Sequence, residues 1–390
     1  MSLYNRRGVS AQKEEVHQAI QKLDQGLFPN AFCKMYPDYI GGDDAHVNIM
    51  HADGAGTKSI LAYLYYKETG DVSVWRGIAQ DAVAMNLDDL LCVGIYDNIL
   101  FSSTIDRNKT LIGVDILQEV IQGTQEFFDE LKKYGVNIHY LGGETADVGD
   151  VVRTIAVNGT MTARQHKSKI ITNEKISEKN VIVGFASFGK AVYEKEYNSG
   201  LGSNGLTSAR HDVLSKYYAE NYRETYEPKL SDDVVYIGTQ QLTDEIAIED
   251  FGKIDTGKLL LSPTRTYAPL MKRLLEDHFN DIYGVIHCSG GGQTKCMKYL
   301  PKALRVVKDN LFDAPPIFNL IQKNSGADNR EMYQVFNMGH RLEIFTHESA
   351  AGSMIAAAYD LGIEARVIGY TEASEQKELL IKTKDEEIHY

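Results

Sequence analysis

A chain of 390 residues is long for one compact core and favours two domains. Hydrophobic residues make up 43% and charged residues 24%, the balance of a globular protein, and no stretch has the length of a membrane span. With 41 Lys and Arg against 54 Asp and Glu, the formal charge is −13 and no basic cluster relieves it, which disfavours nucleic acid and anionic membrane as partners.

The four cysteines, Cys33, Cys92, Cys288 and Cys296, form no CxxC pair and read as buried free thiols of a reducing compartment. The polar, basic start at residues 1–7 lacks the apolar core of a signal peptide. A cytoplasmic protein is expected.

Residues 47–50 read as a short strand that runs into His51-Ala-Asp-Gly-Ala-Gly-Thr-Lys58. Gly54 and Gly56 have no Cβ, so backbone N–H groups there can approach an anion closely. Lys58 can neutralise phosphate charge, and Asp53 offers a hard oxygen ligand for Mg2+. The spacing is not the Walker pattern. Helical periodicity covers residues 59–68 and 75–93. On the second helix Asp81 and Asp88 share a face, with Asp89 about 80° further round. Residues 98–104 read as a strand and 114–134 as an amphipathic helix closed by Gly135. A strand over 137–141 then ends in a turn at Gly142-Gly143-Glu144-Thr145, where Glu144 and Asp147 add carboxylates. Residues 151–163 form a further strand.

The polar stretch 165–179 marks a boundary, giving domains 1–168 and 169–390. An apolar strand at 181–187 opens the second half, and the glycine-dense loop 200–205 precedes a helix from Leu206. Residues 217–258, rich in Tyr, Asp, Glu and Lys, read as a partly ordered surface excursion. A strand over 284–287 leads through Ser289-Gly290-Gly291-Gly292 to a helix, an order that makes an anion seat. The alternation predicts an α/β (α+β) fold of two domains, with mixed sheets packed with helices.

Taken in order, a set of motifs resembles the aminoimidazole ribonucleotide synthetase (phosphoribosylformylglycinamidine cyclo-ligase) family over nearly the whole chain. They are Asp53-Gly-Ala-Gly-Thr-Lys58, Asp81-Ala-Val-Ala-Met-Asn-Leu-Asp-Asp-Leu90, Gly142-Gly-Glu-Thr-Ala-Asp147 and Ser203-Asn-Gly205. Further along stand Leu261-Ser-Pro-Thr-Arg265, Ser289-Gly-Gly-Gly292, Glu331-Met-Tyr-Gln-Val-Phe-Asn-Met-Gly339 and Ile368-Gly369.

The resemblance implies a cytoplasmic ligase of purine biosynthesis, a homodimer joined through the β-structure of its N-terminal domains. Its cofactors are ATP and Mg2+, and its substrate is formylglycinamidine ribonucleotide. The formyl amide oxygen is phosphorylated and the amidine nitrogen closes the imidazole ring. By position, Asp53, Lys58, Asp89 and Glu144 are the implied catalytic residues. Asp53, Asp89 and Glu144 are the metal ligands, supported by Asp81 and Asp147, and Lys58 faces the phosphates. Gly54, Gly56, Thr57, Gly142, Gly143, Thr145, Ser203, Asn204, Gly290, Gly291 and Gly292 bind substrate or nucleotide. Asn337 and Gly339 are structural.

Two departures bear on the pocket. Where the family has Gly-Gly-Phe-Gly ahead of the Asp loop, this chain has Gln25-Gly-Leu-Phe-Pro-Asn-Ala-Phe-Cys33, and the usual histidine before Ser-Asn-Gly is Gly202. His51 either compensates for that histidine or is simply a packed or solvent-facing side chain. The alternatives are another ATP-dependent small-molecule kinase or synthetase of the same superfamily, or a non-catalytic ATP-binding paralogue. Retention of Asp53, Lys58, Asp89 and Glu144 argues against the latter, because charges brought together are costly without a use.

Overall fold

The computed structural model describes residues 2–10, 15, 18–19 and 22–390. Strands β1 (Met35–Pro37), β2 (His46–Gly54), β3 (Ile99–Arg107), β4 (Ile138–Asp147) and β5 (Ile155–His166) form one sheet in the order β1-β2-β5-β3-β4. Helices α1 (Lys58–Thr69), α2 (Val74–Leu91) and α3 (Val114–Lys132) lie in the same half. The neighbours β3 and β4 run parallel, as a crossover through α3 requires, and the other pairs are antiparallel. Burial alternates along the strands with the period of two. Val47, Ile49, Phe101, Ile105, Val157 and Met161 face the helices, and Met50, Leu100 and Thr104 face outward.

The second sheet contains β6 (Val181–Ala186), β7 (Gly284–His287), β8 (Arg305–Lys308), β9 (His340–Thr346), β10 (Ala365–Glu372), β11 (Glu378–Lys382) and β12 (Glu387–His389). Their order is β7-β9-β6-β10-β8-β11-β12. All seven residues of β9 are buried, as befits an interior strand. Both sheets are mixed and packed with helices, the expected α/β architecture.

Helix α2 decides how the halves meet. Its Val83, Leu87, Leu90 and Leu91 join an apolar cluster with Ile182, Val183 and Phe185 of β6, while Trp75, Ile78, Ala79 and Ala82 join another with Leu201, Leu206 and Tyr236. Each core therefore draws on both halves. A helix buried on nearly all sides must also find partners for its polar groups, and α2 buries Asp81, Asp88 and Asp89.

Two expectations change. Residues 217–258 are not a loose excursion, since Tyr218, Val234, Val235, Tyr236 and Leu242 are buried in the second cluster. Tyrosine conceals this in a sequence, for its ring is apolar and its hydroxyl finds partners: Arg210 donates to the Tyr236 hydroxyl at 2.6 Å, and Leu242 N–H to that of Tyr218 at 2.7 Å. Nor does a turn end β4 at Gly142-Gly143. The strand continues to Asp147 through a bulge, with Gly142 at φ 85° and Gly143 pressed so close to β3 that a Cβ would lie 1.9 Å from the Ser103 carbonyl. All four cysteines are buried and free. No helix among the described residues is long and apolar enough to cross a membrane.

Candidate functional site

Asp53 ends β2 on its helix-facing side, in step with Ile49 and His51. Asn86 of α2 donates its Nδ2 hydrogens to the carbonyls of Ala82, Asp53 and Gly159, which leaves Oδ1 to accept from His51 Nδ1 at 3.0 Å. His51 Nε2 meets Asp89 Oδ2 at 3.1 Å. Both ring nitrogens thus face acceptors. Burial works against the imidazolium, but Asp89, Asn86 and nearby Asp53 prevail and raise the His51 pKa.

The other Asp89 oxygen accepts from His287 Nδ1 at 2.6 Å. Burial alone would raise the Asp89 pKa, yet the two imidazoles hold it well below the usual carboxylate range. His287 is fully buried and its Nε2 has no partner.

Lys58 does not face an open phosphate loop. Its Nζ is 2.9 Å from Asp81 Oδ1 and 2.5 Å from the Ser262 carbonyl, and the side chains of both Lys58 and Asp81 are wholly buried. Lys58 shares the inward stripe of α1 with Leu61, Ala62 and Tyr65, a periodicity visible in the sequence. Asp81 also accepts from Thr264 N–H, so it is a joint between the halves rather than a free ligand. Asp88 accepts from the Thr266 hydroxyl at 2.5 Å, Tyr267 N–H at 3.3 Å and Arg341 Nη2 at 3.2 Å.

The glycine loops come to the same seam. The hydroxyls of Thr57 and Thr207 are 2.6 Å apart and those of Ser203 and Thr264 are 3.0 Å apart. Gly290 faces Asn204, where a Cβ would lie 3.7 Å from Nδ2. Gly291 and Gly292 lead into one 3-10 turn (Gly292–Lys295) and one α turn (Cys296–Tyr299), shorter than the helix expected. Asn337 braces the 200–205 loop by donating to the Gly200 carbonyl at 2.8 Å.

Beneath the Gly290–Gly292 loop, Lys308 bonds Glu343 and the Gln293 side chain, and His340 Nε2 lies 2.8 Å from Glu343. Cys288, His340 and Glu343 have the donor types of a metal site, but the Lys308 ammonium already neutralises Glu343. The cluster is a buried ion-pair support.

Glu144 stands apart. The rows run Asp53–Gly159–Ser103–Gly143 across four strands, a separation of about 14 Å. The next residue, Glu144, pairs with Thr104 on the opposite, open face. Within one chain Glu144 cannot share an ion with Asp53, and Gly142, Gly143 and Thr145 are equally distant from the seam. Asp147 is neutralised by Arg107 at 2.7 Å and Lys109 at 3.4 Å. A strand replaces the expected loop here, and strand pairing carries these residues away.

The segment that departs from the family pattern is anchored across both halves. Asn173 Nδ2 donates to the Asn30 carbonyl at 3.0 Å, Cys33 Sγ to that of Asp89 at 3.1 Å, and Phe32 stacks on Tyr299. His287 and Arg341 were not anticipated. His287 carried one signal, its place at the end of a strand just ahead of the triple glycine.

Residues 42–164 match the family described as AIR synthase related protein, N-terminal domain. The phosphoribosylformylglycinamidine cyclo-ligase of Methanocaldococcus jannaschii is 29% identical over 321 residues, which span 82% of this chain and 77% of that protein. The protein of the same name from Bacillus mycoides is 27% identical over 83% of this chain and 80% of its own length. Among solved structures, AaThiL complexed with AMPPCP and TMP superposes with a TM-score of 0.55 at 10% identity, over 97% of this chain and 96% of that chain. The protein tt0281 from Thermus thermophilus gives 0.51 at 12% identity, over 95% and 96%. At such identities the structures speak for the fold, whereas the sequence relatives extend across both halves. The chain is thus similar to phosphoribosylformylglycinamidine cyclo-ligases over about four fifths of its length, and within it residues 42–164 match the AIR synthase related N-terminal domain.

Proposed function

We propose that this chain closes the imidazole ring of aminoimidazole ribonucleotide, converting formylglycinamidine ribonucleotide with ATP in purine biosynthesis. The observation that carries this reading is the meeting of Asp53 and Asp89 with the Thr57, Ser203–Asn204 and Gly290–Gly292 elements at one seam, in a chain aligned with cyclo-ligases over four fifths of its length. ATP phosphorylates the formyl amide oxygen, the amidine nitrogen attacks the same carbon, and the oxygen leaves as phosphate while the nitrogen gives up a proton. Such chemistry is catalysed mainly by positioning and by balancing charge on the phosphoryl oxygens.

Asp53 and Asp89 are hard oxygen donors, and each Asp89 oxygen keeps a lone pair beyond its hydrogen bond. Mg2+ takes one or two carboxylates and completes its shell with water and phosphate oxygens, so these residues fit it. When bound, the ion neutralises phosphate charge. His51, whose pKa Asp89, Asn86 and nearby Asp53 raise, holds one Asp89 oxygen, and His287 fixes the other. The Ser203 hydroxyl, the Asn204 amide and the N–H groups of Gly290 and Gly291 orient the substrate, while the Gly292 N–H closes the loop on the Ser289 carbonyl at 3.0 Å.

The functional unit is a cytoplasmic homodimer with domains 1–168 and 169–390. Met50 and Leu100 lie in one cross-strand row through Thr162 on the open sheet face, 67% and 39% exposed, near Leu141 at 63%. A second copy seated on this face buries these side chains, and Glu144 with Gly142, Gly143 and Thr145 then serves the partner's site.

The test is turnover with Mg-ATP and formylglycinamidine ribonucleotide, following aminoimidazole and ADP together. Equal amounts of both support the cyclo-ligase. ADP formation only with a different small molecule assigns a kinase, and ATP binding without turnover a non-catalytic paralogue.

A further inference from the structure

Arg341, on β9, is 2% exposed, and its hydrogen bonding is incomplete. Nη2 makes both of its bonds, to Asp88 Oδ2 at 3.2 Å and to the Arg265 carbonyl. Nε is buried without an acceptor. Nη1 is turned toward Gly202, where a Cβ would lie 2.7 Å away. The missing side chain at residue 202 is therefore the space that the guanidinium fills, at the residue next to Ser203. The Arg341 carbonyl accepts from Cys288 N–H at 2.7 Å, tying the same residue to the strand that feeds Ser289 and Gly290. Arg341 thus stands between the two loops that meet at Gly290 and Asn204.

A guanidinium is always charged and presents five N–H donors in a rigid fork. Burying it with Nε unmet is costly unless something brings an acceptor. Asp88 is shared with Thr266 and Tyr267 and supplies one oxygen to this arginine. We propose that Arg341 is an anion-binding residue of this seam, its Nε and Nη1 receiving an oxygen of a phosphate group brought between the two loops. The proposal deepens the ligase reading and rests on it for the identity of the anion. That anion is either the terminal phosphoryl of ATP or the ribose phosphate of the substrate. The fork suits a phosphate oxygen better than an ammonium would, so lysine is not an equivalent.

The test uses the full chain with Arg341→Lys, Arg341→Gln and Gly202→Ala. Titration calorimetry with AMPPCP and with inorganic phosphate is combined with KM for ATP and for the ribonucleotide, and with melting temperatures. Both arginine variants should weaken one probe at least about tenfold. Loss confined to AMPPCP and the KM for ATP assigns the terminal phosphoryl. Loss confined to inorganic phosphate and the KM for the ribonucleotide assigns the ribose phosphate. Gly202→Ala keeps the guanidinium but displaces it, and should weaken the same probe, which decides the matter should the arginine variants fail to fold. Unchanged affinities for both probes overturn the proposal and leave Arg341 as a brace for Asp88. If the native chain makes no aminoimidazole yet these variants still lose phosphate binding, the ligase reading fails and the anion site stands.

Discussion

Asp89 of α2 and His287 at the end of β7 meet at 2.6 Å, so the carboxylate beside His51 and Asp53 is held by the strand that feeds the 289–292 loop. The same aspartate reaches His51 through its other oxygen. One side chain thereby couples the Asp loop of the first half to the glycine loop of the second, and any change in how the halves close is felt at the proposed metal ligand.

Asp89→Asn should lower kcat/KM by on the order of 10²-fold or more, because a neutral amide loses the ligand charge and half the acceptors. The fold should persist, since the amide oxygen can still accept from His287. Steady-state kinetics beside a thermal melt checks this. Unchanged kinetics with a lower melting temperature would assign Asp89 a purely structural role.

Lys58 and Asp81 form a wholly buried pair, and removing one partner strands the other charge. Lys58→Met should cost about 3–5 kcal/mol of stability. The double variant Lys58→Met/Asp81→Leu should cost less than the sum of the single changes. Urea unfolding of the four proteins measures the coupling, and strict additivity would refute it.

Glu343 is held at about 2: burial opposes this, but Lys308 and His340 outweigh it. A carboxyl with a lowered folded pKa contributes stability that is complete above its unfolded value of about 4.3 and is lost as pH falls through the folded one. Stability should therefore fall between about pH 4.5 and 2 more steeply in the native protein than in Glu343→Gln. At pH 7 that variant should already be about 3 kcal/mol less stable, with Lys308 left buried and unpaired. Parallel pH profiles of unfolding free energy would contradict this.

Met50→Asp or Leu100→Arg should convert the proposed dimer to monomer, because each places an unpaired charge on the open face of the first sheet. Sedimentation velocity reads the outcome directly. Dimers that survive both changes would move the interface elsewhere and leave Glu144 without its assigned place.

Much of the secondary structure was legible locally. Residues 59–68 and 75–93 match α1 and α2 within a few residues, and 284–287 matches β7, because the periods of 3.6 and 2 are written in neighbouring residues. The Gly142-Gly143 pair was misread because glycine serves a bulge as readily as a turn. Asp53, Asp89, Ser203, Asn204 and Gly290 were named from motifs, and the structure gathers them at one seam.

The sequence by itself determined the chemical inventory and the alternating elements of a mixed α/β protein, since these follow from residue type and short-range spacing. Only the tertiary structure decided which groups share a place. Asp89 finds His287 across 198 residues and Asp88 finds Arg341 across 253, distances over which no local pattern carries information. It also turned Lys58 inward and put Glu144 on the opposite sheet face from Asp53. Sheet register fixes the face of every side chain, and a slip of one residue reverses it, so that outcome belongs to the pairing of strands.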